Sequence, residues 1–269
     1  MKPVSKTAYY CCGVRMQDAE SRHPIIGDNY AKQLLGEQGL AYWQEFKQFT
    51  NPNASNVARH YIIDQHLHYL LGKEPDSTII LIGAGLDSRA YRFKGGNWLE
   101  LDEPAVIEYK NNRLPPAGCP NRLTRIAIDF EKEKLADKLN SFAGVQPVIF
   151  IVEGVLMYLS RSQKEALIQT LTSLFPKHVL LCDLMTRQFF NRLGHKIHNK
   201  LLAHGSSFTD LSSYPASIFT EYGYQLHSYT STIRKARELG IMRIPKLFTN
   251  FLFKKFLEGY SVYHFIYTG

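Results

Sequence analysis

The feature that most constrains this chain is a short apolar run ending in glycines. Thr78-Ile79-Ile80-Leu81-Ile82 passes directly into Gly83-Ala84-Gly85, which reads as a strand feeding a tight turn. In an α/β sheet the ligand crevice lies at the carboxyl end of such a strand. Glycine there lets the backbone approach a ligand with no Cβ in the way. A second short strand, Trp98-Leu99-Glu100-Leu101-Asp102, puts Asp102 19 residues after Gly83. That is close to the roughly 20-residue offset at which a carboxylate meets ribose hydroxyls in nucleotide-binding βαβ units. A structural turn followed by a helix-capping Asp is the plainer alternative.

The rest of the chain alternates around this unit. Residues 1–75 carry apolar positions at helical spacing and no good strand, with a break at Asn51-Pro52-Asn53. After Asp102 a helix opens near Pro104. Leu123–Ile128, Pro147–Val152 and His178–Cys182 read as further strands, Glu131–Asn140 as a surface helix and Ser162–Phe175 as an amphipathic one. Strands alternating with helices predict a parallel, doubly wound α/β sheet. From 184 to about 215 the sequence is polar and loop-like. Two late strands, near Tyr224–Tyr229 and Tyr260–Tyr267, flank the basic stretch Ile233–Lys255. One domain is expected, divided into a helical cap (1–75), a ligand-binding core (76–183), a lid or insert (184–215) and C-terminal strands with a basic insert (216–269).

Composition narrows the partners. The 269 residues carry 32 Lys and Arg against 24 Asp and Glu, a net charge of +8. That balance admits nucleic acid, a membrane surface or an acidic small molecule. The four cysteines, Cys11, Cys12, Cys119 and Cys182, have no CxxC or zinc-ligand spacing, so neither a disulfide framework nor a metal is expected. The first twenty residues have no apolar region long enough for a signal peptide, and the longest apolar run, Val148–Leu159, is interrupted by Glu153 and Gly154. These features predict a cytoplasmic protein without membrane insertion.

The turn also selects its ligand. A dinucleotide site wants G-x-G-x-x-G, but position 88 is Ser, flanked by Asp87 and Arg89. An acid beside a pyrophosphate is repelled, whereas Asp87 suits a ligand carrying an ammonium or sulfonium, such as S-adenosylmethionine. No Walker lysine follows, which disfavours a nucleoside triphosphate.

At this point several segments resemble one family in chain order. Gly83-Ala84-Gly85-Leu86-Asp87-Ser88-Arg89-Ala90-Tyr91-Arg92 is similar to the GAGLDTRAYRL signature of the leucine carboxyl methyltransferase family. Ser5-Lys6-Thr7-Ala8 with Arg15, and Asp28-Asn29-Tyr30-Ala31, resemble its SxTA…R…DPYA pattern, Asn29 replacing the usual proline. Arg59-His60-Tyr61-Ile62-Ile63-Asp64, Leu99-Glu100-Leu101-Asp102-Glu103-Pro104 and Glu153-Gly154-Val155-Leu156-Met157-Tyr158-Leu159 resemble three further segments. The match is specific for the family and not for a substrate. It implies a class I methyltransferase fold, a Rossmann-like sheet of about seven strands with helices on both faces, and S-adenosylmethionine as cofactor.

The resemblance also implies roles for individual residues. The Gly83, Ala84 and Gly85 backbone would pass under the methionine part of the cofactor, with Asp87 beside its cationic end, and Asp102 would accept from both ribose hydroxyls. Arg59 and Arg15 would pair with the methionine carboxylate, where a guanidinium fork suits two oxygens; Arg15 equally reads as a surface-helix residue. Asp129 would hold the adenine amino group and Phe130 pack on its face, although Asp129 also reads as a helix cap. Glu153 would hold the cationic amino-acid end, because a carboxylate inside an apolar run is costly unless paired. Tyr158 would offer its hydroxyl or ring face, with packing an equal alternative.

Methyl transfer from a sulfonium is an in-line displacement whose chief demand is alignment. A carboxylate acceptor is already ionised and needs no general base, in keeping with ten histidines that share no spacing and no evident His–Asp or Cys–His pair. Acidic or phenolic small molecules, or a peptide C-terminus, are the expected acceptors. Arg187, Arg192, His195 and His198 are candidates for the clamp, or for a base if the acceptor is a phenol. A nucleic-acid methyltransferase is suggested by Arg234-Lys235-Ala236-Arg237 with Lys254-Lys255. It is opposed by a fourth strand ending in Glu153-Gly154-Val155-Leu156 rather than [DN]-P-P-[YF]. A non-catalytic cofactor-binding protein is the alternative of another class. The acids Asp87, Asp102, Asp129 and Glu153 are expected to face a cationic cofactor, with the basic excess elsewhere.

Overall fold

The computed structural model describes residues 2–243 and 257–269. Its sheet follows from strands that are apolar on both sides. Every residue of β1 (Thr78–Ile82) and β4 (Val148–Val152) is buried, as expected of central parallel strands covered on both faces. β1 pairs parallel with β4 and with β2 (Asn97–Asp102), β2 with β3 (Arg122–Ala127), and β4 with β5 (His178–Met185). Of the two late strands, β6 (Gln225–Ser231) and β7 (Tyr260–Tyr267), the second inserts antiparallel beside β5. The order is β3-β2-β1-β4-β5-β7-β6. Its direction reverses between β1 and β4, which places a ligand crevice beyond their carboxyl ends.

Helices cover both faces. On one, α1 (Pro3–Ala19), α2 (Ala31–Gln44) and α3 (Thr50–Lys73) bury Leu34, Ile63 and Leu67 with Ile79, Leu81 and Ile151. The single turn α4 (Arg89–Arg92) follows the glycines, and α5 (Pro104–Arg113) starts on its proline. On the other face, beyond α6 (Leu135–Leu139), α7 (Arg161–Leu174) packs Leu167, Ile168 and Leu171 against Ile80, Phe150 and Phe265. Ser160 and Gln163 close a reciprocal capping box at its start. The remaining α-helices among the described residues are α8 (Arg187–Phe189), α9 (His195–Ala203), α10 (Ser217–Glu221) and α11 (Thr232–Glu238). Among the described residues no helix is long and apolar enough to cross a membrane.

Four expectations are corrected. The sheet is mixed, because β7 runs antiparallel to both neighbours. β5 continues past Cys182 to Met185, since Asp183, Leu184 and Met185 find partners in Val262, Ser261 and Tyr260. The stretch 184–215 is not loop-like throughout: Ile197 and Leu201, one helical turn apart in α9, join the core under the first three helices. The helix expected over Glu131–Asn140 shrinks to α6, because the Asp129 N–H donates to Glu133 and Asp129 accepts from the Glu131 N–H. Such side-chain bonds hold the backbone out of the helix. Of the basic stretch, Lys254 and Lys255 lie outside the described residues.

One charge in the sheet is wholly enclosed. Glu100 of β2 is 0% exposed and pairs with Lys110 at 2.7 Å and Arg125 at 2.8 Å. Removing the shared carboxylate strands two buried cations, so Glu100→Ala is expected to lose about 3–5 kcal/mol of stability, read as a lower urea midpoint.

Candidate functional site

The turn after β1 is glycine by necessity. Gly83 and Gly85 have φ of +70° and +49°, and a Cβ on Gly83 would stand 2.5 Å from Val155 Cγ2. On Gly85 it would stand 3.2 Å from Ala8 Cβ of α1. The Gly83 and Ala84 N–H groups donate to the Leu101 carbonyl, bringing the turn against the end of β2. Asp102 there accepts from the N–H of Gly85 at 2.6 Å and of Glu103 at 2.7 Å. Burial outweighs these bonds and pushes its carboxyl up to about 6. The turn and the acid paired in the sequence are therefore neighbours.

Beyond the turn lies a buried network of arginines and carboxylates. Arg89, 0% exposed, reaches Asp64 of α3, Asp87 of the turn, and Glu153 just past β4, the last at 2.8 Å. Arg59 of α3 donates to Glu153 at 2.9 Å and to the Tyr260 hydroxyl at 2.7 Å, and lies 3.5 Å from Asp183. Asp183 accepts from the Gly154 N–H at 2.6 Å and from the Tyr260 hydroxyl at 2.7 Å. Burial is the largest single influence on Asp64, Asp87 and Glu153 and raises each, but the neighbouring guanidiniums and His60 together outweigh it and hold all three below the ordinary carboxylate range.

His60 sits inside this network. Its Nδ1 is 2.8 Å from Arg89 Nη2 and 3.4 Å from Glu153 Oε1, and its Nε2 is 2.8 Å from Arg92 Nη2. Both ring nitrogens thus face guanidiniums, which can only donate. Burial, then the Arg89 charge, push its pKa down. His60, Asp87 and Glu153 present ligand atoms within 4.8 Å of one another, but Arg89 Nη1 contacts both acids and Nη2 the imidazole. A guanidinium already stands in the cation position.

The expected site residues fall into two groups. Gly83, Ala84, Gly85, Asp87, Asp102, Arg59 and Glu153 meet at the turn and in the network beside it. Arg15 is no surface residue: it is 5% exposed, pairs with Asp28 at 2.9 Å and donates to the Leu86 carbonyl at 2.6 Å. Asp129 is ion-paired at 3.0 Å with Lys2, which also pairs with Glu103 beside Asp102, and Phe130 is 38% exposed. Tyr158 shares a hydrogen bond with Thr7 and sets its ring edge against Phe208. Arg187 donates to the Leu211 carbonyl, and the His198 ring lies against Phe190 and Phe208. Arg192 is exposed, and the His195 side chain lies outside the described residues.

The basic excess is not confined elsewhere, since Arg59, Arg89 and Arg92 stand among the acids. His60, Asp64, Arg89, Arg92, Asp183 and Tyr260 were missed as site residues. Arg89, Arg92 and Asp64 were visible inside the family-like segments, whereas Asp183 and Tyr260 carried no signal because β5 and β7 meet only in the sheet. Around the crevice five carboxylates (Asp28, Asp64, Asp87, Glu153 and Asp183) face four guanidiniums (Arg15, Arg59, Arg89 and Arg92). The buried Glu153 Oε2 lies 2.8 Å from Arg89 Nη1 without a well-aligned hydrogen bond. A surplus carboxylate fits a ligand that is itself a net cation, such as a sulfonium amino acid.

The Asp102 shift has a measurable sign. A carboxyl whose folded pKa is raised adds stability that is fully present below its unfolded value near 3.9 and is lost as pH rises through the folded value. Relative to Asp102→Asn, the wild type is therefore expected to lose about 1–3 kcal/mol between pH 4 and pH 7.5, measured as the difference in urea midpoints.

Comparison with known proteins assigns the family. The sequence model of the leucine carboxyl methyltransferase family matches residues 11–172, more than half of the chain. A Mycobacterium bovis protein named provisionally as an S-adenosyl-L-methionine-dependent methyltransferase is 25% identical over 268 residues, covering 87% of this chain and 84% of its own. A Mycobacterium marinum protein with the same provisional name is 24% identical over 269 residues, with the same coverage of each. A DUF574 family protein from Streptomyces avermitilis superposes with a TM-score of 0.57 at 11% identity, over 94% of this chain and 95% of its own. Magnesium protoporphyrin IX methyltransferase from Synechocystis, with S-adenosylhomocysteine bound, gives 0.53 at 12% identity over 87% and 96%. At such identities the likeness establishes the fold, that of class I methyltransferases. The chain belongs to the leucine carboxyl methyltransferase family and is an S-adenosylmethionine-dependent methyltransferase.

Proposed function

We propose that the protein methylates a carboxylate of a small-molecule or peptide acceptor. The observation that carries this reading is a cavity of about 380 Å³ beside the Leu156–Met157 turn, with Arg161, Lys164 and Arg187 in its wall. Asp183, which also touches Arg59 and the Gly154 N–H, lines the same cavity and joins it to the network. Three cations suit an acidic acceptor, although Arg161 and Lys164 already pair with Glu165, Glu221 and Asp210. Arg187 is the expected clamp residue that lines it.

The same geometry supports a set of residue roles. Asp102 accepts from the ribose hydroxyls while the Gly83–Gly85 backbone runs beneath the methionine part. Arg59 offers its guanidinium to the methionine carboxylate and Glu153 its carboxylate to the ammonium, with Asp87 adding negative charge. Arg15 acts at this end by holding the Leu86 carbonyl. Asp129 and Phe130 border the adenine end, where the adenine amino group takes the place of the Lys2 ammonium. Tyr158 shapes the acceptor side. The bound cofactor supplies an electrophilic methyl group, and the protein aligns the acceptor oxygen with it and excludes water.

No base is required. The imidazole of His60 is engaged on both nitrogens, and burial raises the Tyr158 phenol well above its usual pKa. A carboxylate acceptor gives turnover that stays flat from pH 7 to 9, whereas a phenol acceptor gives one that rises. With methyl-labelled cofactor and an extract fractionated for acids, the product should release volatile methanol in alkali, as a methyl ester does. Alkali-stable label would exclude a methyl ester and overturn the carboxylate reading.

The cofactor site has its own test. Asp102→Ala should weaken S-adenosylmethionine binding by about 1–3 kcal/mol in calorimetry. Since Asp102 must ionise to accept from two hydroxyls, wild-type affinity should rise as pH goes from 5 to 7, with proton release. Unchanged affinity in the variant would falsify the ribose assignment.

A further inference from the structure

The antiparallel strand sends one hydroxyl into the charge network. Tyr260 is the first residue of β7, is 7% exposed, and belongs to an apolar cluster with Ala58, Met157, Phe189 and Ile233. A phenylalanine ring would serve that cluster as well, and a buried hydroxyl is costly unless it is bonded. This one is bonded twice, to Asp183 Oδ2 at 2.7 Å and to Arg59 Nη1 at 2.7 Å. A carboxylate only accepts and a guanidinium only donates. The O–H therefore points at Asp183 and a lone pair at Arg59. Burial, opposed by the Arg59 charge, raises the phenol's pKa, so the proton stays in place. Asp183 is anchored in turn, because its Oδ1 accepts from the Gly154 N–H at 2.6 Å.

The other donors of Arg59 are unequally engaged. Nε donates to Glu153 at 2.9 Å. Nη2 faces Asn56 Oδ1 at 3.2 Å and the Cys11 sulfur at 3.5 Å, and a thiol is a weak acceptor. The guanidinium also lies against Gly154, where a Cβ would stand 3.3 Å from both Nη atoms. With Nε and Nη1 held, Nη2 is the arm of the fork left for a ligand oxygen. We propose that Tyr260 is a positioning residue for S-adenosylmethionine: its hydroxyl, directed by Asp183, holds Nη1 of Arg59 so that Nη2 meets the methionine carboxylate. The role rests on the reading that Arg59 takes that carboxylate, and Tyr260 acts only through Arg59. Without the hydroxyl, Nη1 and Asp183 Oδ2, now 3.5 Å apart, draw together and swing the fork away from the ligand.

Calorimetry on the whole protein with two ligands separates this role from a structural one. S-Adenosylhomocysteine carries the amino-acid end of the cofactor, and methylthioadenosine lacks it. Tyr260→Phe, which keeps the ring, should bind S-adenosylhomocysteine about tenfold more weakly, the size of one lost hydrogen bond, with methylthioadenosine affinity unchanged. Asp183→Asn reaches the same readout by another route. The Gly154 N–H keeps the amide oxygen, so the amide NH2 faces Tyr260 and competes with Arg59 for the hydroxyl oxygen; the same selective loss is expected. Equal losses of both ligands in both variants would mean a structural role and overturn the proposal. So would undiminished S-adenosylhomocysteine binding by Tyr260→Phe. Arg59→Gln tests the underlying reading: unchanged S-adenosylhomocysteine affinity there overturns the carboxylate assignment and the role of Tyr260 with it. Loss in Arg59→Gln without loss in Tyr260→Phe overturns the role of Tyr260 alone.

Discussion

The Arg89 guanidinium is the interaction on which the crevice depends. It has no exposed surface, and its charge is tolerable only because Asp64, Asp87 and Glu153 converge on it. Those acids come from a helix, from the turn after β1, and from the end of β4. One side chain thus fixes three elements at the point where the sheet changes direction. Each acid is in turn unable to relax away, because burial without the guanidinium would cost more than the pairing gains.

Arg59 extends the network to the other half of the sheet. Through Tyr260 and Asp183 it ties α3 to β7 and β5, so the antiparallel strand contributes directly to the crevice. The site is therefore a lattice of opposite charges with a small negative surplus, and not an acid-lined floor. Such a lattice holds its groups rigid in a low dielectric, where fixed dipoles act strongly on a bound cation. The same reasoning explains why local acids did not predict a local charge: the basic residues that balance them are distant in sequence and adjacent in space.

The differences between sequence and structure have a common physical origin. Strands β1 and β4 matched their apolar runs closely because burial on both faces leaves a continuous local signal. The end of β5 did not, because Asp183 is polar and joins a strand only by virtue of β7 alongside it. The helix α9 was hidden in a polar segment, since Ile197 and Leu201 are its few core contacts. Arg15 read equally as a carboxylate partner or a surface arginine, and Asp28 and the Leu86 carbonyl enclose it.

By itself the sequence determined the strand, glycine turn and Asp102, together with the segments that carry the family. These rest on local sterics and on patterns within a few residues, where φ above zero and buried runs leave a direct trace. Only the tertiary structure decided how the charges pair, that Arg89 stands where a cation would sit, and that Asp183 and Tyr260 reach Arg59. Pairing energies depend on distance in space and on exclusion of water, and neither quantity is written along the chain.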